Sequence, residues 1–202
     1  MNKYMQSFMK LRCAGDVLNS MPRLSNAEKE ITESMAVIKH LKQIVLPDPM
    51  KYSVIDMCAG NALTSVIAVH MLPVLCATAI DKKKRHGDYD RVKRFEYIEG
   101  DIKDCGKIDS NDIIIAVHPC KTAIDIVDMF NQSDAKALIM VPCCKGETYL
   151  SGKSWLKDKL GSYNSWTYYL ALELSSTESC WWNIYTDNDI LSPCNNVIVA
   201  VR

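Results

Sequence analysis

The chain has 202 residues, 48% of them hydrophobic and 24% charged, which suits one well-buried core and leaves little room for a second full domain. Its 24 Lys and Arg balance 24 Asp and Glu, so no strong overall field exists to draw in nucleic acid or an anionic membrane, although a local patch remains open. The apolar stretches fall far short of the roughly 20 residues that a membrane span needs, and "MNKYMQSFMKLRCAGD" lacks the apolar run of a secretory signal.

In chain order, the first expected element is a short helix around residues 8–18. "SNAEKEITESMAVIKHLKQIV" follows, opening on a capping-box pattern, Ser25-x-x-Glu28. Ile31, Met35, Ile38, Leu41 and Val45 recur at helical spacing, and Pro47 and Pro49 end the segment. Residues 1–50 therefore read as a helical N-terminal extension and residues 51–202 as the main domain. From residue 53 strands and helices alternate. "SVIDM" is a strand, "ALTSVIAVHML" a helix buried on most sides, and "VLCATAID" a strand ending at Asp81. "GDYDRVKRF" reads as a short solvated helix and "EYIEGD" as a strand ending near Asp101. "DIIIAVH" and "KALIMVPCC" are strands on either side of the amphipathic helix "TAIDIVDMFNQS". "SGKSWLKDKLGSYNSWTYYLALELSS" is mostly helical, in two pieces broken near Gly161. "CWWNIYT" and "NVIVAVR" are the last strands, joined by the loop "DNDILSPCN".

Unbroken apolar strands such as "IIIAV" and "ALIMV" indicate burial on both faces, the mark of a parallel sheet covered by helices. The expected fold is α/β: a doubly wound, mostly parallel sheet of seven strands. The loop between the last two strands has no helical period and is too short for a parallel crossover, so those strands should pair antiparallel.

Ligands of such sheets bind beyond the carboxyl ends of the strands. The first strand ends at Asp56, followed by Met57, Cys58, Ala59, Gly60, Asn61 and Ala62. Small side chains there allow close approach and leave amides to donate at a helix N-terminus. Asp81 ends the second strand, where a carboxylate can accept from both hydroxyls of a ribose. Asp101 follows the third, within reach of an adenine amino group. Each acid alone is equally a helix cap. Together, in this order, they suit an adenosine-bearing cofactor, and a cationic sulfonium better than a dinucleotide.

Asp56-x-Cys58-x-Gly60-x-Ala62 resembles the first motif of class I S-adenosylmethionine-dependent methyltransferases, acid-x-Gly-x-Gly-x-Gly, with Cys58 and Ala62 in place of the outer glycines. The antiparallel final pair is similar to the end of their Rossmann-like sheet. His118-x-Cys120-x-x-Ala123-x-Asp125, the later Cys143-Cys144 pair and "EGDIKD" resemble the branch holding the tRNA 2′-O-methyltransferases and related methyltransferase-like domains. The family's Gly after the Cys is Lys121 here and its Thr before the Asp is Ile124. The zinc module of the tRNA enzymes has no counterpart, since residues 1–50 hold one Cys and one His.

The resemblance implies S-adenosylmethionine as cofactor, bound by Asp56, Cys58, Ala59, Gly60, Asn61, Asp81, Lys82, Asp101, Ile102 and His118. It implies catalysis at His118, Pro119 and Cys120, with His118 a general base by virtue of an unperturbed pKa near neutrality, or else a group that steadies the acceptor. A packing histidine at a strand end is the plainer alternative. Cys120, Cys143 and Cys144 line a pocket in this reading. Their spacing, Cys-x22-Cys-Cys, matches no zinc finger or ribbon, and no metal is expected. Nine cysteines, an odd number, read as reduced thiols in the cytoplasm.

The resemblance alone implies RNA as the acceptor, with tRNA as its nearest class. A small-molecule or protein acceptor is the rival within the enzyme class, and a catalytically silent cofactor-binding scaffold the rival outside it. Lys82, Lys83, Lys84, Arg85, Arg91, Lys93 and Arg94 form a basic run that could meet phosphates, or simply a solvated helix start. Trp166, Tyr169, Leu170 and Leu174 share a helix face expected to be core. The N-terminal helices are a lid or a partner surface. Oligomeric state is not legible.

Overall fold

The computed structural model describes residues 2–143, 154–174 and 180–202. Seven strands form one sheet: β1 (Ser53–Met57), β2 (Ala77–Asp81), β3 (Phe95–Glu99), β4 (Asp112–Val117), β5 (Ala137–Val141), β6 (Trp181–Thr186) and β7 (Asn196–Val201). Their spatial order is β3-β2-β1-β4-β5-β7-β6. The first five are parallel, whereas β7 lies antiparallel between β5 and β6. The strand order reverses between β1 and β4, paired with Asp56 beside Ile115, and this switch point opens the crevice where such sheets hold ligands.

Among the described residues six helices cover the sheet: α1 (Lys3–Met9), α2 (Ala14–Ser20), α3 (Ala27–Val45), α4 (Leu63–Met71), α5 (Ala123–Gln132) and α6 (Ser154–Leu174). The apolar strands feed two cores because alternate side chains point to opposite faces. Ile113, Ile115, Ala137 and Ile139 pack with α1–α4, while Ile114, Ala116, Leu138 and Met140 pack with α5 and α6. Trp166, Leu170 and Leu174 of α6 are core, with Tyr169 packed against them. No described helix is long and apolar enough to cross a membrane.

Several local expectations shift. Two helices, α1 and α2, replace the single one expected over residues 8–18. The cap of α3 is Asn26, whose side chain accepts from the Lys29 amide at 3.2 Å, and the acid that reaches back to the Asn26 amide is Glu30, at 3.0 Å. Ser25 donates to the same Glu30 carboxylate, so the expected Ser25–Glu28 box is displaced toward Asn26 and Glu30. The segment read as a solvated helix holds only a 3-10 turn, Tyr89–Arg91. Tyr89 is buried and stacks on Tyr97, with ring centroids 5.2 Å apart. The break in α6 at Gly161 is present, with φ +76° and ψ 162°.

Candidate functional site

The turn after β1 runs through three left-handed residues, Cys58 (φ +60°), Gly60 (φ +56°) and Ala62 (φ +57°). These are the positions at which the resembling motif carries glycine. Two L-residues adopt that backbone here at a cost of about 1–2 kcal/mol each, which explains why glycine is the usual occupant. Four amides of this turn and the following helix start are already engaged, where the small side chains had suggested amides left to donate. Ala59 donates to the Ile80 carbonyl at 3.0 Å, Gly60 to Asp81 Oδ2 at 2.9 Å, Ala62 to the Ala59 carbonyl at 2.7 Å and Leu63 to Asn61 Oδ1 at 3.1 Å. The turn's carbonyls are braced too, with the Tyr97 hydroxyl donating to Gly60 at 2.6 Å and the Tyr89 hydroxyl to Asn61 at 2.9 Å.

The three strand-end acids occupy different settings. Asp56 lies on the same face of β1 as Val54, toward the α3–α4 layer, is only 2% exposed and accepts from the Ser65 hydroxyl. Burial pushes its carboxyl up to about 7, with the Ser65 hydrogen bond pulling the other way. Asp81 accepts the Gly60 amide on Oδ2 and the Lys83 amide on Oδ1, the latter at 3.0 Å. A carboxylate has about four lone-pair sites, so acceptor capacity remains for a ligand. Asp101 caps a 3-10 turn and pairs with Lys82 at 3.0 Å. The Lys103 amide and Lys82 hold its carboxyl below the ordinary range.

At the end of β4, His118 and Cys120 are also left-handed, with φ +54° and +51°. The His118 amide donates to the Val141 carbonyl at 2.9 Å, which fixes the β4 end against the β5 end. Cys120 and Cys143 bring their sulfurs within 3.1 Å, and the Cys194 thiol donates to the Cys143 carbonyl at 3.0 Å. Cys144 lies outside the described residues. Among the described residues no group of three or more His, Cys, Asp or Glu side chains is arranged to hold a metal ion.

These two strand ends border a cavity of about 760 Å³, within the usual range for small-molecule sites. Asp56, Cys58, Ala59, Gly60, Asn61, Asp81, His118, Pro119 and Cys120 all line it. Lys82 and Asp101 form an exposed ion pair outside that wall, and Ile102 is buried in the core on the α5–α6 side. Helix α3 supplies the opposite wall through Lys29, Glu30, Glu33 and Ser34, with Arg23, Arg85 and His86 nearby. Sequence reading missed these residues as a site, except Arg85, which it placed in the basic run after β2. Asn61 Nδ2 donates to Glu30 at 2.6 Å, so the α3 wall is joined to the turn after β1. The basic run after β2 disperses: Lys82 pairs with Asp101, Arg91 with Asp88, and Arg94 donates to the Val69 and Val74 carbonyls.

A family model described as a methyltransferase domain matches residues 27–149, a stretch that takes in α3. The fold resembles that of the plantazolicin methyltransferase BpumL in complex with SAH, with a TM-score of 0.57, 15% identity and coverage of 96% of this chain and 91% of that one. It resembles Thermoplasma acidophilum 1320, with a TM-score of 0.55, 12% identity and 93% coverage of both chains. The 23S rRNA methyltransferase ErmE is similar at a TM-score of 0.55 and 13% identity, over 83% of this chain and 67% of that one. No curated protein sequence matches.

Proposed function

The chain belongs to the methyltransferase-domain family as an S-adenosylmethionine-dependent enzyme, and we propose that the cavity at the switch point holds this donor and presents His118 to an RNA acceptor. The observation that carries the donor site is Gly60. Its left-handed backbone faces open space where a side chain would begin, directly beside Asp81. A nucleoside fits against that bare backbone, with its ribose hydroxyls donating to the unused lone pairs of Asp81. Asp56, Cys58, Ala59 and Asn61 shape the rest of the donor half. Lys82, Asp101 and Ile102 would reach the donor only through a rearrangement of the loops after β2 and β3.

The donor supplies an electrophilic methyl group on a cationic sulfur. The protein's share is to hold donor and acceptor in line and to take up a proton where the acceptor atom carries one. His118, Pro119 and Cys120 stand on the acceptor side, with His118 the proton acceptor. RNA is favoured by the resemblance of "VHPCKTAID" and "EGDIKD" to the tRNA 2′-O-methyltransferase branch, and Arg23 and Arg85 at the cavity could meet its phosphates. A small-molecule or protein acceptor is the second reading, favoured by the zero net charge. The enzyme acts in the cytoplasm in this reading, where its thiols stay reduced.

Thermal shift with S-adenosylmethionine, S-adenosylhomocysteine and NAD tests the donor site, since only a ligand of the folded state raises Tm. Stabilisation by the first two and not by NAD is expected. Radiolabel transfer from S-adenosylmethionine to total RNA, protein or metabolite extract then sorts the acceptors. Label in RNA supports the reading, label in another fraction replaces the acceptor, and binding without any transfer identifies a silent scaffold.

A further inference from the structure

Glu33 of α3 is 2% exposed, and its Oε1 lies 2.5 Å from His118 Nε2. Lys29, one helical turn earlier, places Nζ 2.9 Å from the same oxygen and 3.2 Å from Oε2. Burial works against a charge on Glu33, but His118 and Lys29 outweigh it and hold the carboxyl below its ordinary range. An ionised carboxylate only accepts hydrogen bonds. The Lys29 ammonium also lies 3.5 Å from Nε2, but the carboxylate oxygen at 2.5 Å is the far closer partner, and it assigns the proton to Nε2 as the donating ring nitrogen. His118 Nδ1 is enclosed and has no hydrogen-bond partner among the described residues. The backbone adds to this fixity, because the left-handed His118 is anchored through its amide to Val141.

We propose that Glu33, locked by Lys29, is a positioning residue that sets His118 as its Nε2–H tautomer and leaves Nδ1 as the nitrogen that takes the acceptor's proton. This rests on the reading that His118 faces the methyl acceptor. In the transfer, the acceptor atom bonds to the methyl carbon and the carbon–sulfur bond breaks with its electron pair left on sulfur. The acceptor's proton passes to Nδ1 after a small opening of the wall that now encloses it. The imidazolium so formed sits against the Glu33 carboxylate until the proton leaves to water. The hydrogen bond from His118 and the Lys29 ammonium together hold Glu33 ionised, so the carboxylate orients the ring and offsets its charge without taking the proton itself. The N-terminal extension is then part of the catalytic apparatus, more than a lid.

The tautomer is measurable without knowing the acceptor. Long-range 1H–15N spectra of the full chain at alkaline pH distinguish the two neutral forms of each imidazole. Only four histidines are present, and His118→Asn identifies the relevant signals. The expected wild-type pattern is a protonated Nε2 and a bare Nδ1 at His118, turning into a mixture of both tautomers in Glu33→Leu, which removes the acceptor. A wild-type ring protonated at Nδ1 overturns the proposal before any variant is made, as does a Glu33→Leu spectrum identical to wild type. Calorimetry with S-adenosylmethionine separates this from the parent reading. Affinity should stay within about threefold in Glu33→Leu, whereas a tenfold loss would make Glu33 a donor ligand and sink the positioning role. A wild-type chain that fails to bind S-adenosylmethionine defeats the donor site while leaving the tautomer result standing.

Discussion

The Gly60 amide donates to Asp81 Oδ2 across 2.9 Å, tying the turn after β1 to the end of β2. One carboxylate thus braces the turn and lines the cavity, where the proposed donor site needs it. Asp81→Ala should weaken S-adenosylmethionine by about tenfold to a hundredfold, the equivalent of the ~1.5–3 kcal/mol typical of hydrogen bonds to a charged group. The two backbone amides it leaves can turn to water, so Tm should fall by only a few degrees. Titration calorimetry checks this, and an unchanged Kd removes Asp81 from the donor site.

Gly60 stands at φ +56° with nothing near the position of an added Cβ. Gly60→Ala therefore costs backbone strain and no steric clash with protein, about 1–2 kcal/mol, or a Tm loss of roughly 2–8 °C for a chain of this size. The new methyl group enters the cavity, so donor affinity should drop at least tenfold. Cys58→Gly is the counterpart: relief of strain at φ +60° offsets the lost packing of a half-buried thiol, and Tm should stay within about 2 °C. Equal loss of affinity in both variants would mean that turn flexibility, and not the intruding methyl group, weakens binding.

The elements that announced themselves did so through short-range physics. "IIIAV" and "ALIMV" are apolar on both faces because Ile113 and Ile114, or Ala137 and Leu138, enter different cores. Asp56, Gly60 and Asp81 were legible because strand ends of a doubly wound sheet converge on one crevice. The pairing of Glu33 with His118 was not, because 85 positions separate the two and the helical pattern of α3 shows only its apolar stripe. Lys29, Glu30 and Glu33 flank that stripe and look like solvated charge until α3 is laid across the strand ends. Tyr89 was misread for the same reason: charged neighbours surround it in sequence, while its ring stacks on Tyr97. The cap of α3 was a close competition between adjacent residues, Ser25 and Asn26, each with an acid within reach.

Asp56 gives stability an unusual slope with pH. Its folded carboxyl is pushed up to about 7 by burial, above the unfolded value near 4. Between those values the folded state holds a proton that the unfolded state has lost, so stability falls as pH rises from about 4 to about 7 and then levels. The effect is on the order of a few kcal/mol. Asp56→Asn removes this titration and keeps an acceptor for the Ser65 hydroxyl. The stability of the variant relative to wild type should rise as pH is raised from 5 to 8 in urea melts, and a relative stability that stays constant or falls over that range would contradict the burial argument.

The N-terminal helix is fastened to the far end of the chain by another buried acid. The Tyr4 hydroxyl donates to Asp187 Oδ2 at 2.5 Å and Lys39 pairs with the same oxygen at 3.2 Å. Asn2 adds a bond to the Asp189 carbonyl at 2.7 Å and Lys3 an exposed pair with the Asp189 carboxylate at 2.8 Å. Burial alone would raise the Asp187 pKa, but Tyr4, the Asp189 amide and Lys39 hold it below the ordinary range. Its contribution is therefore present above the unfolded value near 4 and is lost as pH falls through the lower folded value. Tyr4→Phe removes one bond to that charge at a cost of about 1.5–3 kcal/mol, a Tm loss of roughly 3–12 °C at neutral pH. The difference from wild type should shrink below pH 4, once Asp187 takes up a proton. Because Tyr4 does not line the cavity, S-adenosylmethionine affinity should stay unchanged. A variant that keeps its Tm but loses donor binding would instead show that α1 governs the cavity through α3, against which it packs.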